Sequence, residues 1–91
     1  MTTSQTQILV VDDNPKIRTL IVGILKTAGY TDITEAENGL NAWEILQDKQ
    51  FDLVLSDVMM PEMDGIDLLK KIRSAEGALR STPVLLVTAS D

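Results

Sequence analysis

Four short apolar runs, separated by segments with helical spacing, restrict the folds open to this chain more than any other feature. The four runs are Ile8–Val11, Ile33–Ala36, Leu53–Ser56 and Pro83–Thr88, and Ile33–Ala36 is the weakest strand prediction among them. Runs of this length predict strands that are covered on both faces of a sheet. Strands that alternate with helices pair in parallel through right-handed crossovers. The order β-α-β-α-β-α-β therefore predicts an α/β fold with a parallel sheet.

Capping residues and glycines mark the ends of three predicted helices. The first helix is predicted to begin at Asn14-Pro15, as N-cap and first helical residue, and to end at Gly29. The second follows the Asn38-Gly39 turn, the third follows Asp64 as N-cap, and residues 74–82 are predicted to form a polar loop. The apolar positions predicted to face the sheet are Ile17, Leu20, Ile21, Ile24, Leu25 and Ala28, then Leu40, Trp43, Ile45 and Leu46, then Ile66, Leu69 and Ile72.

Two absent residue types and the net charge exclude several classes of function. The 91 residues contain no histidine and no cysteine, which excludes a Ser-His or Cys-His catalytic pair, a His-ligated zinc site and a disulfide within them. The formal net charge of −6 argues against nucleic-acid binding, which needs a basic face. The sequence shows no signal peptide and no segment able to span a bilayer. We therefore expect one cytoplasmic domain over residues 1–91.

Polar residues stand at the ends of three of the predicted strands. Asp12-Asp13 follow the first strand, Asp57 ends the third and Thr88 ends the fourth. If the first and third strands are neighbours, their carboxylates converge at one edge of the sheet. Two carboxylates about 5 Å apart repel by roughly 3 kcal/mol at an effective dielectric near 20, and a hard cation such as Mg²⁺ would offset that repulsion. Alternatively, the first two acids only cap a helix and the third is a loop residue.

These residues give the chain a specific family resemblance. The chain resembles the receiver domain of bacterial two-component response regulators, and chemotaxis regulators in particular. The resemblance rests on Asp12-Asp13, Asp57, the motif Met-Pro-x-Met-Asp-Gly at residues 60–65 and Thr88-Ala89, and it extends from about Gln7 onward. It implies a flavodoxin-like, doubly wound parallel sheet with strand order 2-1-3-4.

The same resemblance implies a phosphotransfer function. Asp57 would accept a phosphoryl group from a sensor histidine kinase or a phosphotransfer protein. Such a domain is not an enzyme, although the family promotes its own phosphoryl transfer and hydrolysis. Asp13, Asp57 and the backbone carbonyl of Met59 would bind Mg²⁺ or Mn²⁺, with Asp12 acting through water. Thr88-Ala89 would contact the phosphoryl group and change position when it arrives.

The family pattern continues past the fourth strand with a helix, a strand and a further helix that have no counterpart here. The family's catalytic lysine has no counterpart either, since none of the three prolines follows a lysine. We therefore expect an incomplete receiver domain whose fourth strand is an open edge, and a homo-oligomer formed through that edge. A receiver-like interaction module that is not productively phosphorylated stays open as an alternative.

Two other functions fit the sequence less well. A phosphatase of the haloacid dehalogenase type needs a second aspartate two residues after the nucleophile, where this chain has Met59. A flavodoxin needs hydroxyl and amide donors after the first strand to bind a phosphate, where this chain has Asp12-Asp13. No membrane partner is indicated, and no output partner can be named from the sequence.

Overall fold

The computed structural model describes residues 6–87, and within them the chain alternates strands and helices in the predicted order. The strands are β1 (Gln7–Val11), β2 (Asp32–Ala36), β3 (Leu53–Asp57) and β4 (Val84–Val87). The α-helices are α1 (Pro15–Thr27), α2 (Gly39–Asp48) and α3 (Gly65–Ser74), and a 3₁₀ helix spans Gly77–Ser81. None of the helices in the described part of the chain is long and apolar enough to cross a membrane.

All four strands are parallel and lie in the order β2-β1-β3-β4. The predicted strand order is therefore confirmed. Val11 at the end of β1 is paired with Ala36 of β2 on one side and with Ser56 of β3 on the other. Because the chain leaves β1 in one direction and returns to β3 on the other side, the strand order reverses between β1 and β3. Open α/β sheets bind ligands at such a point.

Alternate residues of the central strands enter two separate cores, one on each face of the sheet. Ile8 and Val10 of β1 pack with Val22 of α1, whereas Leu9 and Val11 face α2 and α3. The second core is the larger, and its other buried members are Ala36, Ala42, Leu46, Phe51, Val54, Met60, Met63, Leu68 and Ile72. Burial on both faces explains why Ile8–Val11 of β1 are all apolar instead of alternating with polar residues.

The predicted helix caps are confirmed. The Asn14 side chain accepts hydrogen bonds from the backbone N–H groups of Lys16 (2.9 Å) and Ile17 (3.3 Å). The Asp64 side chain accepts one from the N–H of Asp67 at 2.8 Å. Gly29, just past the end of α1, has φ 105°, a conformation that favours glycine and ends the helix where the sequence predicted.

Three predictions about the helices and the loop after them were too coarse. Leu20 and Ile24 are 59% and 61% exposed, because only a narrow arc of α1 contacts the sheet. In α3 the fully buried residues are Leu68 and Ile72, whereas Ile66 is 44% exposed. Part of the predicted polar loop at residues 74–82 forms the 3₁₀ helix. A helix of five residues is too short to show a repeating pattern of apolar residues in the sequence.

Strand β4 lies at one edge of the sheet formed by the described residues. Leu85 and Val87 are 55% and 37% exposed, and they alternate with the half-buried Val84 and Leu86. This pattern is that of a strand with one covered face. The predicted homo-oligomer remains a prediction.

The loop between β3 and α3, residues 58–64, is anchored by two methionines. Met60 and Met63 are both buried in the larger core. Between them Glu62 has φ 69°, and it is the one non-glycine residue of the described chain with a left-handed backbone. The unusual conformation lets the chain turn so that both methionines point inward.

Replacing Glu62 by glycine should therefore stabilise the fold. A non-glycine residue in the left-handed region costs about 1–2 kcal/mol, whereas glycine adds about 0.5–1 kcal/mol of unfolded-state entropy, so we expect a net gain of up to about 1.5 kcal/mol. The measurement is the urea midpoint. The matched control is Glu44→Gly in the exposed part of α2, which should lower stability by about 1 kcal/mol. Two losses of equal size would show that the loop conformation carries no strain.

Candidate functional site

Three carboxylates meet at the carboxyl ends of β1 and β3. Asp12 and Asp13 directly follow β1, and Asp57 is the last residue of β3. One carboxylate oxygen from each lies within 4.8 Å of the other two. Asp12 is buried, Asp57 is half-buried and Asp13 is exposed, so the three acids extend from the floor of the site to its rim. The strand pairing brings together the acids that the sequence predicted would converge.

Asp12 is held by hydrogen bonds to its backbone N–H, its backbone carbonyl and one oxygen of its carboxylate. Its N–H donates to the carbonyl of Ala36 at 3.2 Å, and its carbonyl accepts from Nη1 of Arg18 at 2.7 Å. Its carboxylate oxygen Oδ1 accepts from the N–H of Asn14 at 2.8 Å. These three bonds fix the backbone and the side chain at the floor of the site.

Arg18 is a supporting residue that the sequence analysis missed. Besides its bond to the Asp12 carbonyl, it donates from Nε to Oε1 of Glu35 at 2.9 Å, and its side chain is only 18% exposed. It therefore joins α1, β2 and the loop after β1. The available signal was a single arginine among the apolar positions of α1, which is too weak to identify a site residue.

Asp57 is fixed through the backbone around it. The N–H of Val58 donates to the carbonyl of Val87 at 3.2 Å, and the N–H of Gly65 donates to the carbonyl of Val58 at 2.9 Å. The buried Ser56 hydroxyl donates to the Asp57 carbonyl at 2.9 Å. A Cβ on Gly65 would overlap that same carbonyl oxygen, so glycine is required there by close approach. The Asp57 side chain is thus presented from a rigid strand end.

The electrostatics of the cluster are unfavourable without a cation. Burial raises the pKa of Asp12, the hydrogen bond from the Asn14 N–H opposes that rise, and the neighbouring charges of Asp57 and Asp13 add to it. Arg18 opposes the rise of the Asp12 pKa to the smallest extent. The pKa of a buried acid among other acids rises because its charged form is destabilised. The cluster therefore lowers the stability of the folded chain at neutral pH.

The remaining predicted site residues lie at the rim of this cluster or outside the described residues. Met59 stands two residues after Asp57 in the 58–64 loop, and its side chain is 80% exposed. Thr88 and Ala89 fall outside the described residues 6–87.

The donor set of the cluster fits a hard cation. Every side-chain ligand it offers is a carboxylate oxygen, and Mg²⁺, Ca²⁺ and Mn²⁺ prefer such ligands, whereas softer metals prefer nitrogen or sulfur. Asp12, Asp13 and Asp57 could bind a metal ion together.

The chain is similar in sequence to receiver domains. The family model described as the response regulator receiver domain matches residues 8–91. The chain is 43% identical to chemotaxis protein CheY-3 of Vibrio cholerae serotype O1 and 40% identical to chemotaxis protein CheY1 of Helicobacter pylori, each over 83 residues. These matches cover 91% and 90% of this chain, but only 63% and 66% of the two relatives. The chain therefore spans about two thirds of the length of these curated relatives.

Its fold is similar to that of solved receiver structures. The N-terminal domain of a response regulator receiver protein from Methanoculleus marisnigri matches with a TM-score of 0.86 and 41% identity, over 96% of this chain and 69% of that one. The predicted flavodoxin-like fold is confirmed by this likeness together with the strand order.

Asp12→Asn should stabilise the metal-free chain at pH 7. A carboxyl whose folded pKa is raised contributes most stability below its ordinary pKa, and that contribution is lost as the pH rises through the folded pKa. An asparagine keeps an oxygen for the Asn14 N–H and removes the buried charge. We expect the melting temperature in EDTA to rise by a few degrees at pH 7 and the difference to vanish below about pH 4.

The control for this prediction is Glu44→Gln, which removes an exposed carboxylate of α2 outside the cluster. It should leave the melting temperature nearly unchanged at both pH values. An Asp12→Asn chain no more stable than the control at pH 7 would contradict the charge cost assigned to the cluster.

Proposed function

The chain belongs to the response regulator receiver domain family, and from this premise we propose that it is a phosphoacceptor domain of a two-component signalling system. In this proposal Asp57 receives a phosphoryl group from a sensor histidine kinase or a phosphotransfer protein. The proposal includes residues 1–91 as one domain in the cytoplasm. The observation that carries it is the meeting of three carboxylates within 4.8 Å at the point where the strand order reverses.

Among the three acids, Asp57 is best suited to be the nucleophile. Asp12 is only 4% exposed and one of its carboxylate oxygens already accepts a hydrogen bond, so an incoming phosphorus atom has little access to it. Asp13 is exposed in the loop after β1, where no strand restrains it. Asp57 combines a half-exposed side chain with a rigid strand end, and positioning supplies much of the catalysis in phosphoryl transfer.

The proposed transfer balances without a further co-reactant. A carboxylate oxygen of Asp57 forms a bond to the phosphorus as the bond between phosphorus and the partner's imidazole nitrogen breaks. The electron pair of the broken bond returns to that nitrogen, which takes up a proton. The products are an acyl phosphate on Asp57 and a neutral histidine on the partner.

A divalent cation completes the proposed site. Asp13, Asp57 and the backbone carbonyl of Met59 would bind Mg²⁺ or Mn²⁺, and Asp12 would act through a water molecule. Bound there, the cation would neutralise the charge that accumulates between phosphate and carboxylates. The chain's own residues supply the placement: β1 and β3 set the spacing of the acids, and Arg18 together with Asn14 holds the innermost one.

Mg²⁺ should stabilise the chain through this cluster. At a Mg²⁺ concentration about ten times the dissociation constant, binding adds about 1.4 kcal/mol, which corresponds to several degrees in melting temperature. Asp13→Ala should abolish the rise. Asp67→Ala, which removes an acid from the first turn of α3 outside the cluster, should keep it. A melting temperature that does not respond to about 10 mM Mg²⁺ would contradict the metal site, because a site of two or three carboxylates should be largely occupied at that concentration.

Acetyl phosphate with Mg²⁺ should phosphorylate the chain once, at Asp57. Intact-mass spectrometry should show the gain of one phosphoryl group, which is absent for Asp57→Asn and retained for the control Asp52→Asn, an exposed acid at the opposite end of β3. A phosphoryl group retained in Asp57→Asn would show that the acceptor lies elsewhere. A chain that binds Mg²⁺ but gains no phosphoryl group would overturn the phosphoacceptor role and favour an interaction module.

A further inference from the structure

We infer that Gly39, the first residue of α2, is a positioning residue for the site at Asp57. Its missing side chain lets the start of α2 rest directly on the backbone of Met63, and this contact fixes the loop of residues 58–64 that carries Met59. The inference rests on the proposed function, since it assigns that loop a part in binding the cation.

The space around Gly39 shows why the residue is glycine. A Cβ at this position would overlap the carbonyl oxygen of Met63 and would lie 2.9 Å from its Cβ and 3.0 Å from its carbonyl carbon. Two of these three atoms belong to the backbone, so no side-chain rotation relieves the clash. The glycines of the described chain with a left-handed backbone are Gly29 and Gly77, and Gly39 is not among them. Close packing, not backbone conformation, therefore requires glycine at position 39.

The start of α2 has little freedom to withdraw from Met63. The Asn38 side chain accepts from the N–H of Asn41 at 2.7 Å, and the Asn38 carbonyl accepts from the N–H of Ala42 at 3.0 Å. Ala42 is fully buried in the larger core. Three residues before Gly39, Ala36 pairs with β1 and accepts from the N–H of Asp12. A movement of α2 away from the loop would disturb this core and the floor of the site.

An added methyl group would therefore displace the loop. Its two ends are fixed by the Val58 N–H bond to β4 and by the Gly65 N–H bond back to Val58. Met63 must retreat by about 1 Å to restore ordinary contact, and misplacement of this size is enough to impair a binding site. Because Met63 lies only four positions after Met59, the displacement reaches the proposed carbonyl ligand and the chain next to Asp57.

The test compares the same substitution at two glycines. Gly23 lies exposed in α1 with nothing within 4 Å of an added Cβ, so Gly23→Ala should raise the urea midpoint through helix propensity alone. Mn²⁺ affinity is measured from the electron paramagnetic resonance signal of the free ion. We expect Gly39→Ala to weaken Mn²⁺ binding about tenfold or more and Gly23→Ala to leave it unchanged. The double variant, which carries both Gly23→Ala and Gly39→Ala, should regain stability but not Mn²⁺ affinity.

The double variant separates positioning from a loss of stability. Mn²⁺ affinity restored to the unmodified value along with the urea midpoint would overturn the inference, because Gly39 would then act only through stability. If neither Gly39→Ala nor the double variant folds, Met63→Ala provides the second test, since it removes the buried anchor of the loop without adding atoms. It should weaken Mn²⁺ binding, whereas Leu40→Ala, at the exposed neighbouring position, should not. Unchanged affinity in Met63→Ala also overturns the inference.

Failure of the proposed function gives a different result. In that case the unmodified chain itself does not bind Mn²⁺, and the inference about Gly39 falls with the metal site. A wrong inference with a correct function instead gives normal Mn²⁺ binding in the unmodified chain and in the stabilised Gly39→Ala chain.

Discussion

The parallel pairing of β1 with β3 is the constraint on which the rest of the structure depends. With Val11 opposite Ser56, the next residue along each strand is an aspartate, so the register itself brings Asp12 and Asp57 together. A shift by one residue would also move every core side chain of β1 to the opposite face. Because Ile8 and Val10 enter one core and Leu9 and Val11 the other, both layers of helices hold this register in place.

The apolar cores thus hold together a group of charges that would otherwise separate. Asp12 has a raised pKa because it is buried beside two further carboxylates, and the hydrogen bond from Asn14 and the positive charge of Arg18 offset that rise only in part. A fold selected for stability alone would place an uncharged residue at this position. The destabilising charge is typical of a site whose stability is completed by a ligand, and a cation is the ligand that three carboxylate oxygens favour.

Local features of the sequence predicted most of this fold, whereas they did not predict the contacts between segments that are distant in the sequence. The strands, the caps at Asn14 and Asp64, and the convergence of the acids follow from short-range patterns and from the geometry of a parallel sheet. The exposure of Leu20 and Ile24 was missed, since helical spacing identifies an apolar arc and not the part of it that is covered. The roles of Arg18 and Gly39 depend on partners 17 and 24 positions away, Glu35 and Met63, which no local pattern specifies.

The two loops around the site are held by different kinds of interaction, and this difference decides how each tolerates change. The loop after β1 is held by hydrogen bonds from Arg18 and Asn14, which can lengthen or be replaced by water at moderate cost. The loop after β3 is held by close packing, with Gly39 against Met63 and Gly65 against Asp57. Steric repulsion rises steeply with overlap, so even one methyl group must move the backbone. Asp57 therefore lies beside the loop that is more rigid and less tolerant of substitution.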